Sequence, residues 1–334
     1  MSDIVVVGGG IVGLSIAFRL VRGGADVTVL DGGDEGAWQV AAGMLAPGGE
    51  SAYEHPALAR LLERSAELWP GFARELGVDV GYDDTGTLSL AMTADDIAQA
   101  ARVWTRQQLP LLRPSELREL EPALSPRVRA GVLAPHERQV DPRKVVAALR
   151  ESLGSRIVPK RVQSLSDVDA RTVVVAAGTG TAALTGLPVR PVKGQVLRLR
   201  GEPGLLRHVL DAAVDGREVY IVPRADGEIV VGATQEERTD RLVTAGAVHD
   251  LLRSAIELVP ALAELELTET TVGHRPGTPD NAPLLGRLDD RVVVAAGHHR
   301  NGVLLAPVTA DLIAGLLLTG DTDPMLADFS PRRF

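Results

Sequence analysis

The 334-residue sequence contains no cysteine, ten aromatic residues (three Trp, three Tyr, four Phe) and only three lysines. Without cysteine there is no disulfide framework, zinc knuckle, iron–sulfur cluster, catalytic thiol or cysteinyl-linked cofactor. So few aromatics argue against a stacking platform for single-stranded nucleic acid. The net charge is −9, from 35 basic and 44 acidic residues, so no global field draws the chain to nucleic acid or anionic lipid. Lys144, Lys160 and Lys193 are the only lysines beside 32 arginines. Such a bias reads as codon usage, and an arginine matters here only through its position. No apolar run reaches the roughly 18 residues of a membrane span, and Leu304–Leu318 is interrupted by Asp311. The apolar stretch Ile4–Leu20 lacks a basic leader. The expectation is a soluble cytoplasmic protein with neither nucleic acid nor membrane as partner. No His/Asp/Glu cluster has metal-ligand spacing, and no serine nucleophile elbow is present.

What is there is an ordinary globular balance, 45% hydrophobic and 24% charged, over a length suited to about two domains. Asp3–Gly8, Arg171–Ala177 and Arg291–Ala296 are β-branched runs that end at or just before glycine, the pattern of buried parallel strands. Hairpin texture fills Val189–Thr234 between them, with turns at Asp215-Gly216 and Asp226-Gly227. Thr85–Ala91 alternates like an antiparallel strand, and Asn301–Leu318 reads as the closing helix. This is an α/β (α+β) chain with two interleaved domains: 1–80, 141–187 and 273–334 in a Rossmann-like unit, 81–140 and 188–272 in a smaller antiparallel-sheet unit.

The strongest local signal is Gly8-Gly9-Gly10-Ile11-Val12-Gly13, a G-x-G-x-x-G read at 8, 10 and 13. It follows a strand, opens a helix, and has Asp31 at the end of the next strand. Gly8 makes the tight turn, Gly10 lets a pyrophosphate approach the backbone, and Gly13 lets the helix pack on the strand. Asp31 accepts hydrogen bonds from ribose. The motif does not separate NAD from FAD. At the other end, Gly297 closes a strand and Asn301-Gly302 begins a helix, which gathers free N–H groups at one spot. Such a helix start suits the negative N1–C2=O edge of a reduced flavin.

Six further segments run in order along the chain: Ala41-Ala42-Gly43-Met44-Leu45-Ala46-Pro47 followed by Glu50, Val192-Lys193-Gly194-Gln195, Tyr220-Ile221-Val222-Pro223-Arg224, Val231-Gly232-Ala233-Thr234, Arg275-Pro276-Gly277-Thr278, and Ala296–Pro307. With these the chain resembles the glycine oxidases of thiamine biosynthesis, within the D-amino-acid oxidase family of FAD enzymes. The resemblance implies non-covalent FAD held by Gly8, Gly10, Ile11, Val12, Gly13, Asp31, Ala42, Gly43, Met44, Ala177, Gly178, His298, Arg300, Asn301, Gly302, Val303 and Leu304. It implies a substrate carboxylate held by Tyr220, Arg275 and Arg300, an arrangement that suits the planar fork of arginine.

The implied reaction is oxidation of glycine, sarcosine or a small D-amino acid. Hydride passes from Cα to flavin N5 with no side-chain base, O2 is the acceptor, and glyoxylate, ammonia and H2O2 are the products. A functional link to thiazole synthase and a homotetramer are further implications. A dehydrogenase using another acceptor and a non-catalytic flavin-binding partner protein remain the alternatives. For His298 and His299 a satisfied structural role is favoured, with flavin contact by His298 the rival. The segment 32–40 is short and lacks the Ser/Thr that often precedes the A-A-G-M run, which leaves two alternatives: Gln39 in its place, or weaker cofactor binding. Glu218, two before Tyr220, stands where relatives commonly carry a different polar residue.

Overall fold

The computed structural model describes residues 3–48 and 55–334, and Glu50 lies outside them. In chain order the first half contains β1 (Ile4–Val7), α1 (Ile11–Arg22), β2 (Val27–Asp31), β3 (Met44–Leu45), α2 (Pro56–Glu75), β4 (Thr87–Ala91), α3 (Ala94–Arg106), α4 (Pro114–Leu120), β5 (Ala130–Ala134), β6 (Arg138–Gln139), α5 (Pro142–Leu153), β7 (Ile157–Pro159) and β8 (Thr172–Val175). The second half contains α6 (Thr181–Thr185), β9 (Arg190–Arg200), β10 (Val209–Val214), β11 (Arg217–Pro223), β12 (Glu228–Gly232), α7 (Ala245–Leu258), β13 (Glu266–Gly277), β14 (Leu284–Arg287), β15 (Val292–Ala296) and α8 (Ala306–Leu318).

Six strands form one sheet in the order β14-β15-β8-β1-β2-β7, parallel throughout except for the edge strand β14. The three β-branched runs are its centre, each strand joining the next although well over a hundred residues separate them. They are apolar at every position because both faces are covered. Val6, Val174 and Val293 face the helices, while Val5, Val173, Val175 and Val294 pack on the opposite side. α1 lies between α5 and α8 on the helical side. Most of the few large aromatics are placed there: Trp69 and Phe72 of α2 meet edge-to-face at 5.4 Å, and Phe18 of α1 meets Phe72 at 6.0 Å.

The second sheet has seven strands in the order β13-β9-β12-β11-β10-β4-β5. One face, including Leu197, Leu210, Val219, Ile221 and Val231, is buried with residues of α7. The other carries Val196, Val209, Tyr220, Val222 and Val230 toward the first sheet. The β4 expectation is half corrected. Thr87–Ala91 pairs antiparallel with β5 but parallel with β10, because a long crossover, not a hairpin, joins β4 to the sheet's centre. The closing helix is also corrected. His299–Asn301 is a 3-10 turn and regular α-helix begins only at Ala306, since positive φ at Gly297 (73°) and His299 (49°) interrupts the backbone.

Candidate active site

Between the two sheets lies a cavity of about 910 Å³ that runs from the C-terminal ends of β1, β2 and β8 to the inner face of the second sheet. Every residue the resemblance assigns to cofactor or substrate lines it except Gly13. Gly13 sits behind the turn, where a Cβ would come within 2.1 Å of the Gly8 carbonyl oxygen. It makes the helix–strand contact and does not reach the cavity.

At one end is the start of α1. Its N-cap Gly10 has no side-chain cap, and its first turn holds no acidic residue. The N–H groups of Ile11 and Val12 therefore stay free of intrahelical partners, beside the positive end of the helix dipole. Gly8 (φ 124°) is required sterically, because a Cβ there would lie 2.3 Å from the Ala176 carbonyl oxygen. A Cβ on Gly10 would meet only Trp38, at 3.6 Å. Its missing side chain leaves space for a ligand.

Asp31 ends β2 and accepts from the Gly33 N–H at 3.0 Å. It also pairs with Arg150 of α5, which reaches the Gly9 carbonyl at 3.1 Å as well. Arg150 was not legible in the sequence. Two carboxylate oxygens retain further acceptor capacity after these bonds.

The 39–44 segment is held from behind by three arginines the motif reading left without a role. Arg224, of the Y-I-V-P-R segment, donates to Gln139 Oε1 at 2.7 Å, to the Val140 carbonyl at 3.0 Å, and to the Ala42 carbonyl. Arg143 donates to the Gln39 carbonyl at 2.8 Å, and Arg198 to the same oxygen at 3.4 Å. Gln39 itself does not line the cavity, whereas Trp38 and Val40 do. Gln39 thus stands outside the cavity lining, with its backbone carbonyl bound by Arg143 and Arg198.

The turn 298–305 forms the facing wall. Gly302, Val303 and Leu304 line the cavity, and their N–H groups have no partner among the described residues. The Leu304 carbonyl is fixed from the core by the Ser65 hydroxyl at 2.6 Å and the Trp69 indole N–H at 2.9 Å. His298 is bonded through Nε2 to Thr309 Oγ1 at 3.0 Å, and burial lowers its pKa to about 4. Burial, reinforced by Arg275 and Arg300, lowers His299 to about 4 as well. Both imidazoles are neutral near pH 7 and poor proton acceptors.

Tyr220, Arg275 and Arg300 converge from β11, β13 and the 298–305 turn. Burial raises the Tyr220 phenol, with Arg275 and Arg300 opposing. Burial lowers Arg275, and the like charge of Arg300 acts the same way. Arg275 donates to the Thr234 carbonyl at 3.1 Å. Arg300 forms no hydrogen bond or ion pair with any described residue, so its fork is open to the cavity. Two motif glycines make room for this group. A Cβ on Gly194 would lie 2.6 Å from Arg275 Nη1, and one on Gly232 would lie 2.3 Å from the Tyr220 hydroxyl.

The chain matches the family described as "DAO: FAD dependent oxidoreductase" over residues 3–316. It belongs to that family. Among its relatives, a bifunctional ThiO/ThiG protein of Synechocystis is 36% identical over 100% of this chain, which spans only 54% of that protein's length. A glycine oxidase of Geobacillus kaustophilus is 34% identical over 99% of this chain and 97% of its own. A solved structure described as glycine oxidase from the same organism superposes with a TM-score of 0.89 at 33% identity, covering 100% and 99% of the two chains. FAD fits this family member's cavity on the molecule's own evidence: an uncapped helix start, glycines open toward the cavity, and unpartnered N–H groups on the facing turn. Among the described residues no His/Asp/Glu cluster could hold a metal ion, and no helix is long and apolar enough to cross a membrane.

Proposed function

We propose that this chain is an FAD-dependent amino-acid oxidase acting on glycine or a comparably small amino acid. The convergence of Tyr220, Arg275 and Arg300 beside the 298–305 turn carries the reading. When bound, FAD supplies the hydride acceptor and the site of reoxidation by O2. The substrate carboxylate docks on the open fork of Arg300 and the remaining donors of Arg275, with the Tyr220 hydroxyl completing the contact. That docking would fix the orientation of Cα within the cavity. No side chain serves as base, and proton abstraction by His298 or His299 is disfavoured by their low basicity. The imine product hydrolyses to the oxo acid and ammonia, or is captured for thiazole formation. The ThiO/ThiG relatives, in which both parts share one chain, support that link. The N–H groups of Ile11, Val12, Gly302, Val303 and Leu304 would hold the cofactor and stabilise negative charge on it.

We assign FAD binding to 1–80, 141–187 and 273–334 and substrate binding to 81–140 and 188–272. β13 crosses that boundary and carries Arg275 at its far end. One absorption spectrum of the purified protein, before and after anaerobic glycine, tests the proposal. A flavin spectrum that bleaches with glycine and recovers in air with H2O2 is expected. A flavin spectrum unmoved by glycine, sarcosine and small D-amino acids overturns it, and slow recovery in air points to another electron acceptor.

A further inference from the structure

Two carboxylates on the cavity wall have no role in the scheme above. Asp211 of β10 stands directly opposite Tyr220 of β11, and Glu218 precedes Tyr220 by two residues on the same strand. The pleat that turns Val219 and Ile221 into the core under α7 turns Glu218 and Tyr220 toward the cavity. The other acids of this wall are neutralised: Asp31 pairs with Arg150, Asp34 with Arg161, and Glu35 with Arg241. The side-chain carboxylates of Asp211 and Glu218 form neither a hydrogen bond nor an ion pair with any described residue.

They also feel one another. Burial and the negative charge of Glu218 push the Asp211 carboxyl up to about 6, with Arg300 only partly opposing. The charge of Asp211 is felt in turn by Glu137, whose carboxyl burial and Asp211 together push up to about 7. The cavity is therefore bipolar, with the guanidinium groups of Arg275 and Arg300, neither in an ion pair with a described residue, on one side and the carboxylates of Asp211 and Glu218 on the other.

We propose that Asp211 and Glu218 form an anionic pole that selects substrates by the charge of the group beyond the carboxylate, admitting a distal ammonium and rejecting a second carboxylate. The substrate class is then amino acids that are neutral or carry an extra amine, and dicarboxylic amines are excluded. The inference rests on the reading that Arg275 and Arg300 hold the carboxylate. At effective dielectric constants between those of water and a protein surface, one such interaction at close range changes affinity about fivefold or more.

The test uses the flavin-loaded protein and three unreactive ligands of similar size, propionate, β-alanine and succinate, titrated by flavin absorbance near neutral pH. The expected order places β-alanine about fivefold tighter than propionate and succinate about fivefold weaker. In the Asp211→Asn/Glu218→Gln double variant the three affinities converge to within about twofold, and Glu218→Gln alone gives an intermediate spread. Succinate binding as tightly as propionate in the unmodified protein overturns the anionic pole, as does an order that survives in a flavin-loaded double variant. Glycine that fails to bleach the flavin while the three-ligand order holds overturns the oxidation reading alone. No perturbation by any of the three ligands overturns both.

Discussion

The indole N–H of Trp69, in the middle of α2, donates to the carbonyl of Leu304 at 2.9 Å across 235 residues of sequence. Ser65, one turn earlier on the same helix face, donates to the same oxygen. The two donors hold the 298–305 turn with its N–H groups toward the cavity. Trp69→Phe leaves Ser65 to satisfy the carbonyl and is expected to cost about 1–3 kcal/mol of stability. It should also weaken FAD retention about tenfold, since a turn displaced by a fraction of an ångström no longer presents its donors. Thermal unfolding and ultrafiltration of the flavin measure the two effects.

Gly232 and Gly194 are positions where a single methyl group meets the substrate-binding side chains. Gly232→Ala forces the Tyr220 hydroxyl aside from a 2.3 Å approach, and Gly194→Ala does the same to Arg275 from 2.6 Å. Both variants are expected to keep flavin and lose substrate, with KM rising about tenfold or more. Titration with glycine under anaerobic conditions separates this from cofactor loss.

Arg300→Lys retains the charge and loses the fork. Because Arg300 has no protein partner to satisfy, the change should leave stability within about 0.5 kcal/mol. It should lower kcat/KM by roughly 10²-fold, the scale of a lost bidentate charged contact. Equal kcat/KM in the variant and the unmodified protein removes Arg300 from the carboxylate site.

Arg224 serves three acceptors of the loops that frame the cofactor side of the cavity. Arg224→Met leaves those oxygens without their donor in a buried setting, at a cost of about 2–4 kcal/mol. The apoprotein melting temperature should fall, and reconstitution with FAD should recover only part of the loss.

His298 supplies a pH dependence. Its pKa is lowered by burial from the ordinary 6.5 to about 4, so the unfolded chain binds the proton first as pH falls. The neutral imidazole's contribution is complete above about pH 6.5 and is lost progressively as pH falls toward 4, of order 3 kcal/mol in all. His298→Gln, which keeps a hydrogen-bonding side chain for Thr309, should flatten that part of the stability–pH curve. Urea titrations between about pH 7 and 4 measure it.

The cofactor half of the site was legible because its information is local. A strand, a glycine turn, a helix and an acidic strand end lie within the first 31 residues, and backbone sterics make each glycine's role readable from spacing. The true start of α8 was not legible. Asn301-Gly302 resembles a helix opening, but the backbone takes positive φ at Gly297, where a Cβ would meet Thr278 at 2.4 Å, and again at His299. The surroundings of Gln39 were not legible for a related reason: its neighbours in sequence are cavity residues, while its own backbone carbonyl is bound by arginines from α5 and β9.

The absence of cysteine, the sparse aromatics and the ordered motifs were enough by themselves to exclude whole classes of chemistry and to point to a nucleotide cofactor and a carboxylate substrate. Tertiary structure alone decided which of the 32 arginines face the cavity and which support it. It also showed that Asp211 and Glu218 stand there unpaired. Charge identity is written residue by residue, but whether a charge is neutralised depends on partners from distant strands, and only the folded sheet brings those partners together or leaves them out.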